Sequence, residues 1–290
     1  MKKIILILTV LIFAVGCDDF SQGDSYAQYN KGWNYYYGNG VIQNYAEAVK
    51  WLKKSADQGN SDAQNFLGIC YANGQGVSKS YNEAAKWYKL AADKGNVWAQ
   101  NNLGRCYEIG QGVPQSYAEA VKWYRSSATQ GNATAQLNLA VCYYNGTGTS
   151  QSYTEAVKYF KLAANQGLDG AQANLGACYA FGEGVPLDYI EAVKWYKLAA
   201  DQGNSFAQVN LGICNYEGKG VPQSYAGAVK WFKLAVAQGD PMAMTLLGSA
   251  YYNGQGIIRD SQRACQLWRE AGELGNELAI DNYNRLCAPR

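Results

Sequence analysis

The chain has 290 residues, enough for one large core or two domains. Its 25 basic and 23 acidic side chains nearly cancel, which argues against a nucleic-acid partner, since such a partner demands a basic footprint. There is no histidine, so His-ligated zinc, Ser-His and Cys-His dyads and histidine pH switches are all excluded.

Residues 1–16 read Met-Lys-Lys, an apolar run from Ile4 to Val15, then Gly16. A basic start, a short apolar stretch and small residues form a secretory signal. The run is too short for a membrane-spanning helix, which needs roughly 20 apolar residues. Phe13-Ala14-Val15-Gly16-Cys17 resembles a bacterial lipobox, although Val15 stands where a smaller residue is usual. The resemblance implies that Cys17 is the lipidated first residue of the mature chain, anchored in the cell envelope by acyl chains. Asp18 resembles the signal that retains such proteins on the periplasmic face of the inner membrane in enteric bacteria. The outer membrane or cell surface is the alternative. Residues 17–26 then form a tether that reaches roughly 30 Å when extended.

Beyond the tether the sequence is periodic. Ala-Gln recurs at Ala27, Ala63, Ala99, Ala135, Ala171 and Ala207, always 36 residues apart, and Ala243 and Ala279 continue the series without the Gln. This gives seven full repeats over 27–278 and a partial eighth over 279–290. A fixed period of this size marks a solenoid of supersecondary units. In the copy from Ala63, apolar residues at Ala63, Leu67 and Cys70 fall on one helical face, and Gly74-Gln75-Gly76 ends that helix. Ser80 and Glu83 have capping-box spacing, as do Ser116/Glu119 and Ser152/Glu155, and Asn44/Glu47 and Asp188/Glu191 are variants. A second helix runs from Tyr81 to about Lys94, with Ala84, Trp87, Tyr88 and Ala91 as its stripe. The recurring Trp51, Trp87, Trp123, Trp195 and Trp231 are expected in the core.

The pattern Ala-Gln-x-x-Leu-Gly-x-x-Tyr-x-x-Gly-x-Gly-Val, then Tyr-x-Glu-Ala-Val-Lys-Trp-Tyr-x-x-Ala-Ala-x-x-Gly, resembles the Sel-one-like repeat, a relative of the tetratricopeptide repeat. The resemblance covers residues 27–278. It implies an all-α fold, a right-handed α-solenoid superhelix of seven 36-residue helix-turn-helix repeats, and a role in protein–protein interaction. The seventh repeat departs from the pattern (Ser261 to Glu270), and Ala279–Leu286 reads as a single short helix. Terminal repeats must cover an exposed apolar face, so 279–290 reads as a capping half-repeat.

The eight cysteines divide by place. Cys70, Cys106, Cys142, Cys178 and Cys214 share one repeat position. Equivalent positions on stacked helices lie about 8–10 Å apart, farther than a disulfide allows. They read as small buried apolar residues. Cys265 and Cys287 lie on neighbouring helices of the cap, where a disulfide would pin it, and two free thiols are the alternative.

On a helical wheel the first helix of each repeat turns its third, fourth, seventh, tenth and eleventh places away from the packing side. In the related superhelices the first helices line the concave surface, which makes these places the candidate partner-binding residues. They include Tyr29, Trp33, Tyr36 and Tyr37, then Arg105 and Glu108, Tyr144, Phe181, Tyr216 and Tyr252. Asn102, Asn138, Asn174 and Asn210 form a ladder able to hold a partner's backbone. The bland alternative is that some of these rings pack between repeats and that the ladder bridges helices. Lys50, Lys86, Lys122, Lys158, Lys194 and Lys230 read as a solvated face with weak ion pairs.

The expected function is a membrane-anchored, non-enzymatic scaffold with a protein partner and no cofactor or metal. A host-facing surface lipoprotein is a variant of it. Some Sel-one-like proteins are labelled β-lactamases or penicillin binders, but Ser-x-x-Lys and Lys-Thr-Gly are absent here. Recognition of cell-wall glycan by exposed rings is a further alternative.

Overall fold

A computed structural model describes residues 24–288. The leader, Cys17 and Asp18 lie outside the described residues. Within them the chain is entirely helical, with fifteen helices of near-identical length joined by short turns. Two compact units are distinguished, one ending at Ser127 and one beginning at Ala128. The first contains α1 (Ser25–Tyr37), α2 (Tyr45–Asp57), α3 (Ser61–Asn73), α4 (Tyr81–Asp93), α5 (Val97–Ile109) and nearly all of α6 (Tyr117–Thr129). The second contains α7 (Ala133–Asn145), α8 (Tyr153–Asn165), α9 (Asp169–Phe181), α10 (Tyr189–Asp201), α11 (Ser205–Glu217), α12 (Tyr225–Val236), α13 (Pro241–Asn253), α14 (Ser261–Glu273) and α15 (Glu277–Leu286). Odd-numbered helices are the first helices of the repeats and even-numbered ones the second.

Capping hydrogen bonds set the helix ends of the hairpins, the exception being the start of α9, where Leu168 offers no side-chain cap. Ser80 Oγ accepts from Glu83 N at 3.3 Å, and Asp188 Oδ1 accepts from Ile190 N and Glu191 N at 2.9 and 3.0 Å, so the expected capping boxes start the second helices. The first helices begin two residues before the Ala-Gln pair, earlier than the pattern suggested. Asn60 Oδ1 and Asn96 Oδ1 each accept from the alanine amide three residues on at 2.9 Å. The first helix of each full repeat ends on a left-handed glycine, as at Gly74 with φ 73°, whereas α15 ends on Cys287. Gly76 has a different reason to be glycine: a Cβ built there would lie 2.1 Å from Tyr45 O, the start of the preceding second helix. That turn is thereby pressed against the previous repeat's backbone.

Inside a hairpin, one glycine of the first helix receives one large ring of the second. Tyr88 packs on Gly68, Tyr124 on Gly104, Tyr196 on Gly176, Phe232 on Gly212 and Trp268 on Gly248. These rings are almost completely buried. The expected tryptophan core is corrected here. Trp51, Trp87, Trp123, Trp195 and Trp231 are only half-buried, because each precedes the residue that enters the glycine notch. Trp87 instead packs on the edge of the core formed between Leu52 of the preceding repeat and Leu67 of its own, and Trp123 does the same for the core around Tyr88 and Leu103.

Adjacent repeats are joined by buried amides. Gln64 Nε2 donates to Ala56 O at 3.0 Å, and Gln208 Nε2 donates to Ala200 O at 3.2 Å. The side chains of Gln202 and Gln238 then donate to Gln172 Oε1 and Gln208 Oε1, at 2.8 and 2.9 Å. Burial of the Gln172 and Gln208 amides is tolerable because each both donates and accepts, while Gln202 and Gln238 bridge from exposed positions. At the C-terminus, Cys265 and Cys287 are joined in a disulfide with Cα atoms 5.7 Å apart, tying α15 to α14. The five ladder cysteines are buried free thiols.

Candidate protein-binding groove

The first unit carries an aromatic groove built from three successive first helices. Tyr29, Trp33 and Tyr37 occupy one side of α1, spaced i, i+4 and i+8 so that they share a face. Phe66 of α3 lies beneath them, and its ring centroid is 5.1 Å from that of Trp33 and 6.5 Å from that of Tyr29. Trp33 and Tyr37 contact each other at 4.4 Å between centroids. Trp98 and Asn102 of α5 complete the lining with Asp62 of α3, around a cavity of about 640 Å³. Phe66 is buried, whereas Trp33, Tyr37 and Trp98 are exposed by 36, 49 and 61%. Rings of this size left partly open are the composition of a binding hot spot.

The structure therefore brings together four of the sequence-derived candidates, Tyr29, Trp33, Tyr37 and Asn102. Phe66, Trp98 and Asp62 were missed. Trp98 and Asp62 immediately precede the Ala-Gln pair, outside a helix reckoned from alanine. The asparagine caps carry the helix back over them. Arg105 is exposed on α5 and lines a second hollow of about 330 Å³ with Asn73, Lys79, Tyr81 and Ile109.

Several other candidates do structural work. The Asn ladder bridges or folds back: Asn102 Nδ2 donates to Asn65 Oδ1 at 3.0 Å, across repeats. Asn174 and Asn210 donate to Gly170 O and Phe206 O, one turn back in their own helices, at 2.7 and 2.8 Å. Asn138 is half-buried. The tenth-place tyrosines are staples between repeats. Tyr36 donates to Gln75 Oε1, Tyr144 to Glu183 Oε2, and Tyr216 to Gln255 Oε1 at 2.8 Å. Burial, then the Glu183 carboxylate, raises the Tyr144 phenol above its ordinary range. Glu108 accepts from Tyr124 Oη of its own hairpin at 2.7 Å. Tyr252 is half-buried, with its ring 5.5 Å from Trp268 and 5.7 Å from the Arg259 guanidinium. Phe181 is 66% exposed, on α9 of the second unit. The third place, assigned to the outer side by the wheel, is buried at Asn65, Asn101, Val209 and Thr245 because the neighbouring repeat covers it.

The ionisable groups describe a scaffold surface. Burial pushes the thiols of Cys70 and Cys178 up to about 12 and those of Cys106 and Cys214 up to about 11, so they are neutral at physiological pH. Exposed Lys50, Lys86, Lys122, Lys158 and Lys194 each pair with the glutamate three residues earlier. Lys230 has Gly227 at that place. Among the described residues no group of three His, Cys, Asp or Glu is placed to hold a metal ion, and no helix is long and apolar enough to cross a membrane.

Solved structures resemble this architecture. Protective antigen c5321 of uropathogenic Escherichia coli, which has an SLR fold, is 33% identical with a TM-score of 0.84, and the match covers 93% of this chain and 58% of that one. A Sel1 repeat protein from Oxalobacter formigenes is also 33% identical, with a TM-score of 0.76, over 84% of this chain and 96% of that one. No curated protein matches significantly. The Sel1 repeat model matches seven times, at residues 25–60, 61–96, 99–132, 133–168, 170–204, 205–240 and 241–276. Sel1-repeat proteins are in general non-enzymatic scaffolds for protein interaction. With seven tandem copies filling most of its length, the chain belongs to the Sel1 repeat family.

Proposed function

We propose that this protein is a lipid-anchored, non-enzymatic adaptor of the bacterial cell envelope that binds a protein partner through the first helices of its repeats. The observation that carries the reading is the groove of Tyr29, Trp33, Tyr37 and Trp98, whose large rings converge on one cavity while staying partly open to solvent. The anchor rests on Cys17 and the apolar leader before it, and Asp18 favours the periplasmic face of the inner membrane. Absence of histidine and of serine-hydrolase motifs supports a non-enzymatic role.

Site-specific photo-crosslinking in the native cell tests this. A photoreactive residue at Arg105 or Val141 is expected to give discrete protein adducts, and one at Lys89 on the opposite helix is not. Adducts equally strong at Lys89 would overturn the assignment of the face. Hydrolysis of nitrocefin by the purified protein would overturn the non-enzymatic reading. A host-facing role is a second reading, favoured by the likeness to a protective antigen. Labelling of intact cells with a membrane-impermeant reagent separates it from a periplasmic one.

A further inference from the structure

We infer that the groove between α1 and α5 receives a cationic side chain, an arginine or lysine presented by the protein partner. This rests on the protein-binding reading of the same groove and supplies the chemistry of its occupant.

The argument is electrostatic and steric together. Trp33 and Tyr37 of α1 and Trp98 of α5, each from 36 to 61% exposed, contribute open ring surface to one cavity. The face of an aromatic ring carries the negative lobe of its quadrupole, so ring faces around a cavity attract a cation. The lining adds one carboxylate, Asp62, and no basic side chain. Asp62 Oδ1 accepts from Asn96 Nδ2 at 2.8 Å, which fixes the carboxylate in place. Burial first and the Asp62 carboxylate next raise the Tyr29 phenol above its ordinary range.

The chain shows the same chemistry internally. Trp51, on the second helix of the first repeat, has Lys31 Nζ and Lys54 Nζ at 4.1 and 4.4 Å from its ring centroid. There the protein supplies its own cations. The groove lining supplies none, which leaves its rings and Asp62 open to a cation from the partner. Arginine and lysine also carry an aliphatic stem, which suits the apolar floor of Phe66 and Ile69. An acidic segment would meet Asp62 and the ring faces unfavourably. A neutral sugar would gain stacking and hydroxyl hydrogen bonds to Asp62 but no charge pairing with it.

The test uses the full-length protein labelled with 5-fluorotryptophan, its resonances assigned from the Trp33→Phe and Trp98→Phe variants. The probes are a capped hexapeptide with one central arginine, the same peptide with neutral citrulline, and chitohexaose. The arginine peptide is expected to shift the Trp33 and Trp98 signals saturably. Citrulline in its place, or Asp62→Asn in the protein, is expected to weaken binding on the order of tenfold. Added salt should weaken it too. Because Asp62 also contacts Asn96, unchanged circular dichroism and unchanged signals from the other tryptophans must accompany the Asp62→Asn result. Equal binding of the arginine and citrulline peptides overturns the proposal. So do shifts produced by chitohexaose alone, or no shift with any probe. Protein adducts at Arg105 that persist in the face of any of these outcomes would leave the scaffold reading standing, which separates the two failures.

Discussion

Tyr88 lies against Gly68 so closely that a methyl group on that glycine would sit 2.5 Å from its Cε1 atom. The ring-on-glycine notch recurs in five of the seven hairpins: in the first repeat Gly32 receives Leu52, and at the fourth the glycine is replaced by Ala140, whose hairpin partner is Phe160. The fold thus carries both versions of the joint.

Gly68→Ala is expected to destabilise the protein by about 1–3 kcal/mol through overpacking, because Tyr88 is enclosed and cannot swing away. Urea unfolding followed by circular dichroism measures it. Ala140→Gly should cost less, about 1 kcal/mol, from helix propensity and backbone entropy. Equal costs at the two sites would mean that the notch is not sterically closed.

Two tyrosines at the same repeat position should respond differently to loss of the hydroxyl. Tyr124 Oη donates to Glu108 at 2.7 Å, whereas Tyr196 Oη is buried and hydrogen-bonded to no group among the described residues. Tyr124→Phe is expected to cost about 1–2 kcal/mol, since the acceptor is a carboxylate, and Tyr196→Phe to be neutral or stabilising. Phe232 already fills the equivalent place in the sixth repeat. Chemical denaturation of the two variants side by side checks the difference.

The disulfide between Cys265 and Cys287 closes a segment with a sequence separation of 22 residues. Cross-linking over that length is worth about 3 kcal/mol in the unfolded-chain account. Cys287→Ser, or a reducing agent, should therefore release α15 and raise amide exchange there first. Exchange in α1 and α2 should stay as it was. A cap that exchanges at the same rate with and without reductant would refute the pinning role.

Alkaline pH should destabilise the fold through its thiol ladder. Unfolded thiols ionise near 9.0, whereas in the fold Cys70 and Cys178 hold their protons up to about 12. The folded state binds more protons in that interval, so the stabilising contribution is complete below pH 9 and is lost as pH rises towards 12. Replacing Cys70 and Cys178 with alanine should flatten the decline of the denaturation midpoint above pH 9. Alkylation of the native protein at neutral pH should be slow for all five ladder thiols and become fast on unfolding.

The architecture was legible because each repeat states it again. Ala-Gln, the Gly-x-Gly turn and the capping boxes recur with fixed spacing, and each has a local physical cause within a few residues. What was not legible lies between repeats. The stripe of the second helix holds both Trp87 and Tyr88, and no wheel says which of two adjacent rings finds the glycine of another helix. The bonds from Tyr144 to Glu183 and from Asn102 to Asn65 join residues 39 and 37 apart. They convert side chains that look displayed on a single helix into fasteners. In the groove, Tyr29, Trp33 and Tyr37 could be read from one helix, but Trp98 and Asp62 required the true helix starts.

The Gly76 turn has a consequence for how such a chain changes length. With no side chain, Gly76 lets its backbone close onto Tyr45 O, and Gly112 closes onto Tyr81 O in the same way. Each joint is thus made between atoms that recur at a single interval. Within a unit, excising 36 consecutive residues brings equivalent surfaces face to face, while excising 35 or 37 misaligns the turn, the amide bridges and the ring notch at once. A change of length that keeps these joints intact therefore comes in steps of one whole 36-residue hairpin rather than of single residues.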